Sequence, residues 1–141
     1  MRLRSLALLL ISTAIAASPG LAQQAEQVKP VFEHALPNVQ GKRMVAVLVT
    51  YAPGAKSPAH HHAPSAFIYA YVLSGAIRSQ VDDGPVRVYQ AGEDFFEEPG
   101  SHHRISENAS DREPASLLAV FVVDTADKHL TTPDPMQSSR Q

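Results

Sequence analysis

Three consecutive histidines, His60, His61 and His62, stand near the middle of a 141-residue chain. In an extended strand alternate side chains share a face, so His60 and His62 can converge on one point while His61 points away. Two neutral imidazoles aimed at one place suit a borderline transition metal. Pro58 and Pro64 flank the triplet and restrict its backbone. There is no cysteine, which excludes disulfides and thiolate sites and leaves only nitrogen and oxygen to hold a metal.

The stretches that must position these residues are short and separated by turn signals. Residues 43–51, RMVAVLVTY, form a valine-rich run too short for a typical helix. Pro53-Gly54 is a turn. Residues 66–73 and 76–81 predict two more strands, ended by Ser74-Gly75 and by the acidic turn Asp82-Asp83-Gly84-Pro85. Further strands are expected over 86–89, 94–98, 102–106 and 116–124, the last being the most apolar. Residues 23–29 are expected to be a loose leader and 31–36 a short edge strand between Pro30 and Pro37. The tail from Thr125 is expected to be an exposed extension that wraps the barrel or pairs with another copy. Seven to nine short strands with frequent turns and no convincing helix predict an all-β sandwich or barrel. The aromatic side chains Phe67, Tyr69, Tyr71, Phe95, Phe96 and Phe121 are expected to lie mostly in the core.

A formal charge of -2 and a pI near 6.4 give no basis for binding nucleic acid or an acidic membrane. The first 22 residues have the form of a secretory signal. Arg2 and Arg4 precede the apolar residues 6–17, Pro19 and Gly20 break any helix, and Gly20 and Ala22 place small residues before a cut at Gln23. The apolar run falls short of the roughly 20 residues a membrane span needs. The expected organisation is a signal peptide over 1–22, a leader and edge strand over 23–42, a barrel over 43–124 and a tail over 125–141. The expected location is the periplasm or the medium, with no membrane attachment after cleavage.

A second cluster follows downstream: Gly92, Pro99-Gly100-Ser101-His102-His103 and Asn108. With Gly54, five residues, His60-x-His62 and the closing Gly75, the chain resembles the cupin superfamily, as a small single-domain member. Gly92, Gly100 and His103 fall at the spacing of the family's second motif. The resemblance covers about residues 43–124. It implies a double-stranded β-helix, the jelly-roll barrel, with His60, His62 and His103 as metal ligands. It also favours a homodimer. The family's glutamate ligand falls at Ile68, flanked by Ala66 and Phe67, none of which can coordinate. The proline of the second motif is Glu98, with Pro99 one place later, and its asparagine comes one residue late at Asn108.

The missing carboxylate directs attention to residues 94–98. On a strand, Asp94, Phe96 and Glu98 share one face, and Phe95 and Glu97 the other. An acid turned inward needs a metal or a basic partner, so Glu97 or Glu98 is expected near the histidines, as fourth ligand or proton acceptor. Three neutral imidazoles suit zinc, copper, nickel or ferrous iron better than harder ions. With the Ile68 face inward, the pocket would be lined by small and aliphatic groups, a place for a small organic ligand. His61 is expected outward, His102 beside the metal shell or on the surface, and His34 and His129 on the surface. Two functions are expected. One is a metal-dependent cupin enzyme of dioxygenase, isomerase or lyase type, with Glu97 or Glu98 as base. The other is a non-catalytic module holding a metal or small ligand.

Overall fold

The computed structural model describes residues 26–135. The expected signal peptide and the end of the tail lie outside this range. Ten strands follow one another: β1 (Glu26–Ala35), β2 (Lys42–Tyr51), β3 (His60–His62), β4 (Phe67–Ser74), β5 (Ala76–Val81), β6 (Arg87–Gln90), β7 (Asp94–Glu97), β8 (His102–Asn108), β9 (Ala115–Asp124) and β10 (Thr131–Pro133). They form two antiparallel five-stranded sheets, ordered β1-β2-β9-β4-β7 and β10-β3-β8-β5-β6. No helix occurs among the described residues. This is the expected jelly-roll architecture.

Strand alternation builds the interior. Along β9, buried Ala115, Leu117, Ala119, Phe121 and Val123 alternate with less buried neighbours. Ile68, Ala70 and Val72 do the same on β4. Ile77 of the second sheet joins the same core cluster, together with Val45 and Val47 of β2. Removing each large aliphatic side chain from water contributes about 1.5–3 kcal/mol. The turns carry a stricter constraint. Gly75 has φ +67°, and a Cβ there would sit 2.5 Å from the Pro114 carbonyl oxygen. The chain can therefore pass from β4 to β5 so close to β9 only without a side chain.

Two details, at β1 and among the aromatics, depart from the sequence expectations, and the tail takes one of the two courses expected for it. β1 begins at Glu26 and passes through Pro30, whereas only 31–36 was expected to be extended. It is an edge strand, and its register against β2 shifts between Pro30 and Phe32; a bulge at an edge accommodates a residue with no N–H. The tail wraps back, since Thr131–Pro133 pair with the histidine strand, Thr131 opposite His62 and Pro133 opposite His60. The aromatic set divides by face. Phe95 and Phe121 are buried, while Phe67, Tyr69, Tyr71 and Phe96 stand on the outer surface with exposures of 37–59%, because β4 turns its small and aliphatic residues inward.

Candidate metal centre

The antiparallel pairing of β3 with β8 sets His60 opposite His103 and His61 opposite His102. Directly opposed residues have Cβ atoms about 4.5–5.5 Å apart on one face, so the pairing sorts five histidines into two groups. His60, His62 and His103 turn inward. One ligand nitrogen from each lies within 4.8 Å of one from each of the other two. His62 and His103 are buried and His60 is half-buried, while His61 is exposed on the outer face.

The carboxylate comes from β7. Glu97 is only 3% exposed. Its Oε2 lies 3.0 Å from His62 Nε2 and its Oε1 lies 3.2 Å from His103 Nδ1. Ser101 Oγ donates to Oε2 at 3.3 Å. Glu97 is paired in register with Ile68 of β4, so the acid stands one strand away from the position where the family pattern carries its glutamate. Glu98 is corrected: it follows β7 on the opposite face and is exposed, because consecutive strand residues point to opposite sides. It takes no part in the cluster.

Electrostatics favour an anion at Glu97. Burial by itself pushes its carboxyl upward. The His103 and His62 imidazoles beside it outweigh burial and hold it at about 2. His60 is shifted downward, first by burial and then by its imidazole neighbours, against the raising effect of its bond to Pro58. It is therefore neutral, as a ligand must be.

Neighbouring groups also set ring orientation. His60 Nδ1 lies 2.8 Å from the Pro58 carbonyl; an N–H there leaves Nε2 with a free lone pair. His103 Nε2 lies 2.9 Å from Ser79 Oγ, leaving Nδ1 for the cluster. Such outer partners fix tautomers at metal sites. His62 provides the test of fit. Both of its ring nitrogens are buried without a hydrogen-bond partner, since the 3.0 Å approach to Glu97 is off the line a hydrogen bond needs. Buried polar atoms are rarely left so. A donor set of three imidazoles beside a buried carboxylate, with one histidine unsatisfied, fits a divalent transition ion.

The cluster lies in a cavity of about 380 Å3 between the sheets, walled by Val47, Ile68, Ala70, Leu117, Ala119 and Phe121 among others. At another part of its wall, Tyr51 Oη lies 2.7 Å from Ser57 Oγ and 2.8 Å from Ser106 Oγ, and Ser57 donates to Glu26. Burial, partly offset by the serine bonds, raises the Tyr51 hydroxyl above its ordinary range. These residues, with Ser79 and Ser101, were not singled out from sequence. Ser79 had a signal: it sits between Ile77 and Val81 on one face of β5, a polar residue in an apolar row. Asn108 lies at the barrel end, where its amide donates to the Ala52 and Glu113 carbonyls, and so is structural.

A family model for the cupin domain matches residues 47–121. Among solved structures, an uncharacterized conserved protein with a double-stranded β-helix domain from Klebsiella pneumoniae is 21% identical. The match covers 86% of this chain and 90% of that one, with a TM-score of 0.61. The cupin domain of Schizosaccharomyces pombe Cnp3 is 18% identical, over 73% of this chain and 68% of that one, with a TM-score of 0.57. A recombinant oxalate oxidase in complex with glycolate is 22% identical, over 79% and 58%, with a TM-score of 0.54. These likenesses establish a shared fold. No functionally curated protein matches the sequence.

Proposed function

Because this chain belongs to the cupin family, we propose that it is a metal-binding cupin of the cell exterior whose inner histidines and Glu97 form a centre for chemistry on a small, largely apolar organic molecule. The observation that carries this is Glu97, a buried carboxylate set against His62 and His103 at the wall of a largely apolar cavity. His60, His62 and His103 would hold the ion. Glu97 serves better as an anionic ligand than as a base, because a carboxyl kept near 2 binds a proton weakly at neutral pH. A divalent ion supplies Lewis acidity to a substrate oxygen. Val47, Leu117 and Phe121 exclude water from around it, and Tyr51 offers a hydroxyl to a polar end of the ligand. The fold is shared by an oxalate oxidase and by Cnp3, so activity has to be assigned from the site. The cavity favours an oxygenase or isomerase acting on one small molecule over a module that only assembles.

Export rests on the Arg2, Arg4 and residue 6–17 pattern, with a mature chain from Gln23. The exposed apolar side chains Val28, Val31 and Phe32 on edge strand β1 support a homodimer. The deciding experiment is elemental analysis of tag-free protein and of His62→Ala and His103→Ala variants, followed by oxygen-uptake assays on catechols, diketones and thiols. Metal that is bound by the native protein and lost from both variants is expected. Equal metal content in all three refutes the centre, and no uptake by fully loaded protein refutes the oxygenase version.

A further inference from the structure

The same two strands carry a second histidine pair on their outer face. His61 and His102 are stacked, with ring centroids 4.1 Å apart and planes 5° from parallel. Asp134 spans them from just beyond β10. Its Oδ2 lies 2.8 Å from His102 Nε2 and its Oδ1 lies 3.2 Å from His61 Nδ1. One ligand atom from each of the three lies within 4.8 Å of one from each of the others. We propose that His61, His102 and Asp134 form a second divalent-metal site that fastens the C-terminal strand to the barrel.

Two independent observations support a cation there. The first is the donor set. Two imidazoles and one carboxylate suit zinc, copper or nickel, and cross-strand register places the two rings against each other. The second is an unsatisfied atom. Asp134 Oδ1 is buried without a hydrogen-bond partner, because His61 Nδ1 is near but poorly aligned to donate. A carboxylate oxygen in that state costs free energy unless a cation meets it. The backbone holds Asp134 in place, since its N–H donates to the Ala59 carbonyl at 2.9 Å.

The consequence reaches the inner cavity. β10 has three residues, all exposed, and among the described residues it pairs with β3 alone. Leu130, Thr131 and Pro133 nonetheless contribute to the cavity wall. An ion on the outer face would hold that part of the wall in place and couple metal supply to access. The two sites share strands and no ligand, so either can exist without the other.

Zinc binding to tag-free, chelator-stripped protein tests this, measured by calorimetry on the native chain and on Asp134→Ala and His61→Ala. His61 is more than half exposed, so its loss leaves the core intact. The native chain is expected to bind one equivalent more than either variant, whatever the inner histidines bind. Zinc at tenfold its dissociation constant should slow exchange of the Thr131 and Thr132 amides about ten-fold in the native chain and leave them unchanged in His61→Ala. Equal zinc stoichiometry in all three proteins overturns the proposal.

Discussion

Replacing Glu97 by glutamine keeps the side chain's shape and removes its charge. The folded carboxyl stands at about 2, against an ordinary 4.5. Each unit of difference is worth about 1.4 kcal/mol, so ionised Glu97 contributes on the order of 3 kcal/mol to stability at neutral pH. Because the folded value is depressed, that contribution is whole above about pH 5 and is lost as pH falls through 2. In chelator-stripped protein, Glu97→Gln should therefore be less stable than the native chain by about 3 kcal/mol at pH 7. The gap should close progressively below pH 5. Urea unfolding of both proteins across this range measures it. A gap that stays constant from neutral to acid pH would mean that Glu97 acts through packing, and the electrostatic account of the site would be wrong.

The register of Ile68 with Glu97 allows a transposition. Glu97→Leu should weaken inner-site metal binding by about 10–100-fold, and adding Ile68→Glu should recover much of it, as read by competition with a chelator. A double variant no better than the single would refute the equivalence of the two positions. Gly75→Ala places a methyl 2.5 Å from the Pro114 oxygen at φ +67° and should cost about 2 kcal/mol or more; an unchanged melting temperature contradicts this. Tyr51→Phe deletes the hydroxyl bonded to Ser57 and Ser106 and should cost about 1–2 kcal/mol in urea unfolding without changing metal content.

Much of the architecture was legible because it is local. The strands of β2, β4, β5 and β9 follow from runs of branched and aromatic residues between glycine and proline turns. The inward placing of His60 and His62 follows from a period of two. Edges were harder. Nothing in the residues of β1 shows that Pro30 would be absorbed by a bulge, because that depends on the missing partner on its outer side. The outward aromatics Phe67, Tyr69 and Tyr71 were misjudged for a related reason. Hydrophobicity marks a residue as suited to burial, but the face is chosen by what the strand packs against, and β4 turns Ile68, Ala70 and Val72 to the cavity.

By itself the sequence determined that His60 and His62 share a face, that Glu97 and Glu98 cannot, and that no thiolate takes part. These are consequences of bond geometry and composition, the same in any strand. It left two acids as candidates and no role for Asp134. Only the tertiary structure decided those, by pairing Glu97 with Ile68 across β4 and β7 and by returning the tail to lie beside β3. Register between strands distant in the chain is set by the packing of the whole barrel. Which carboxylate meets which imidazole is a property of that packing and of no single stretch.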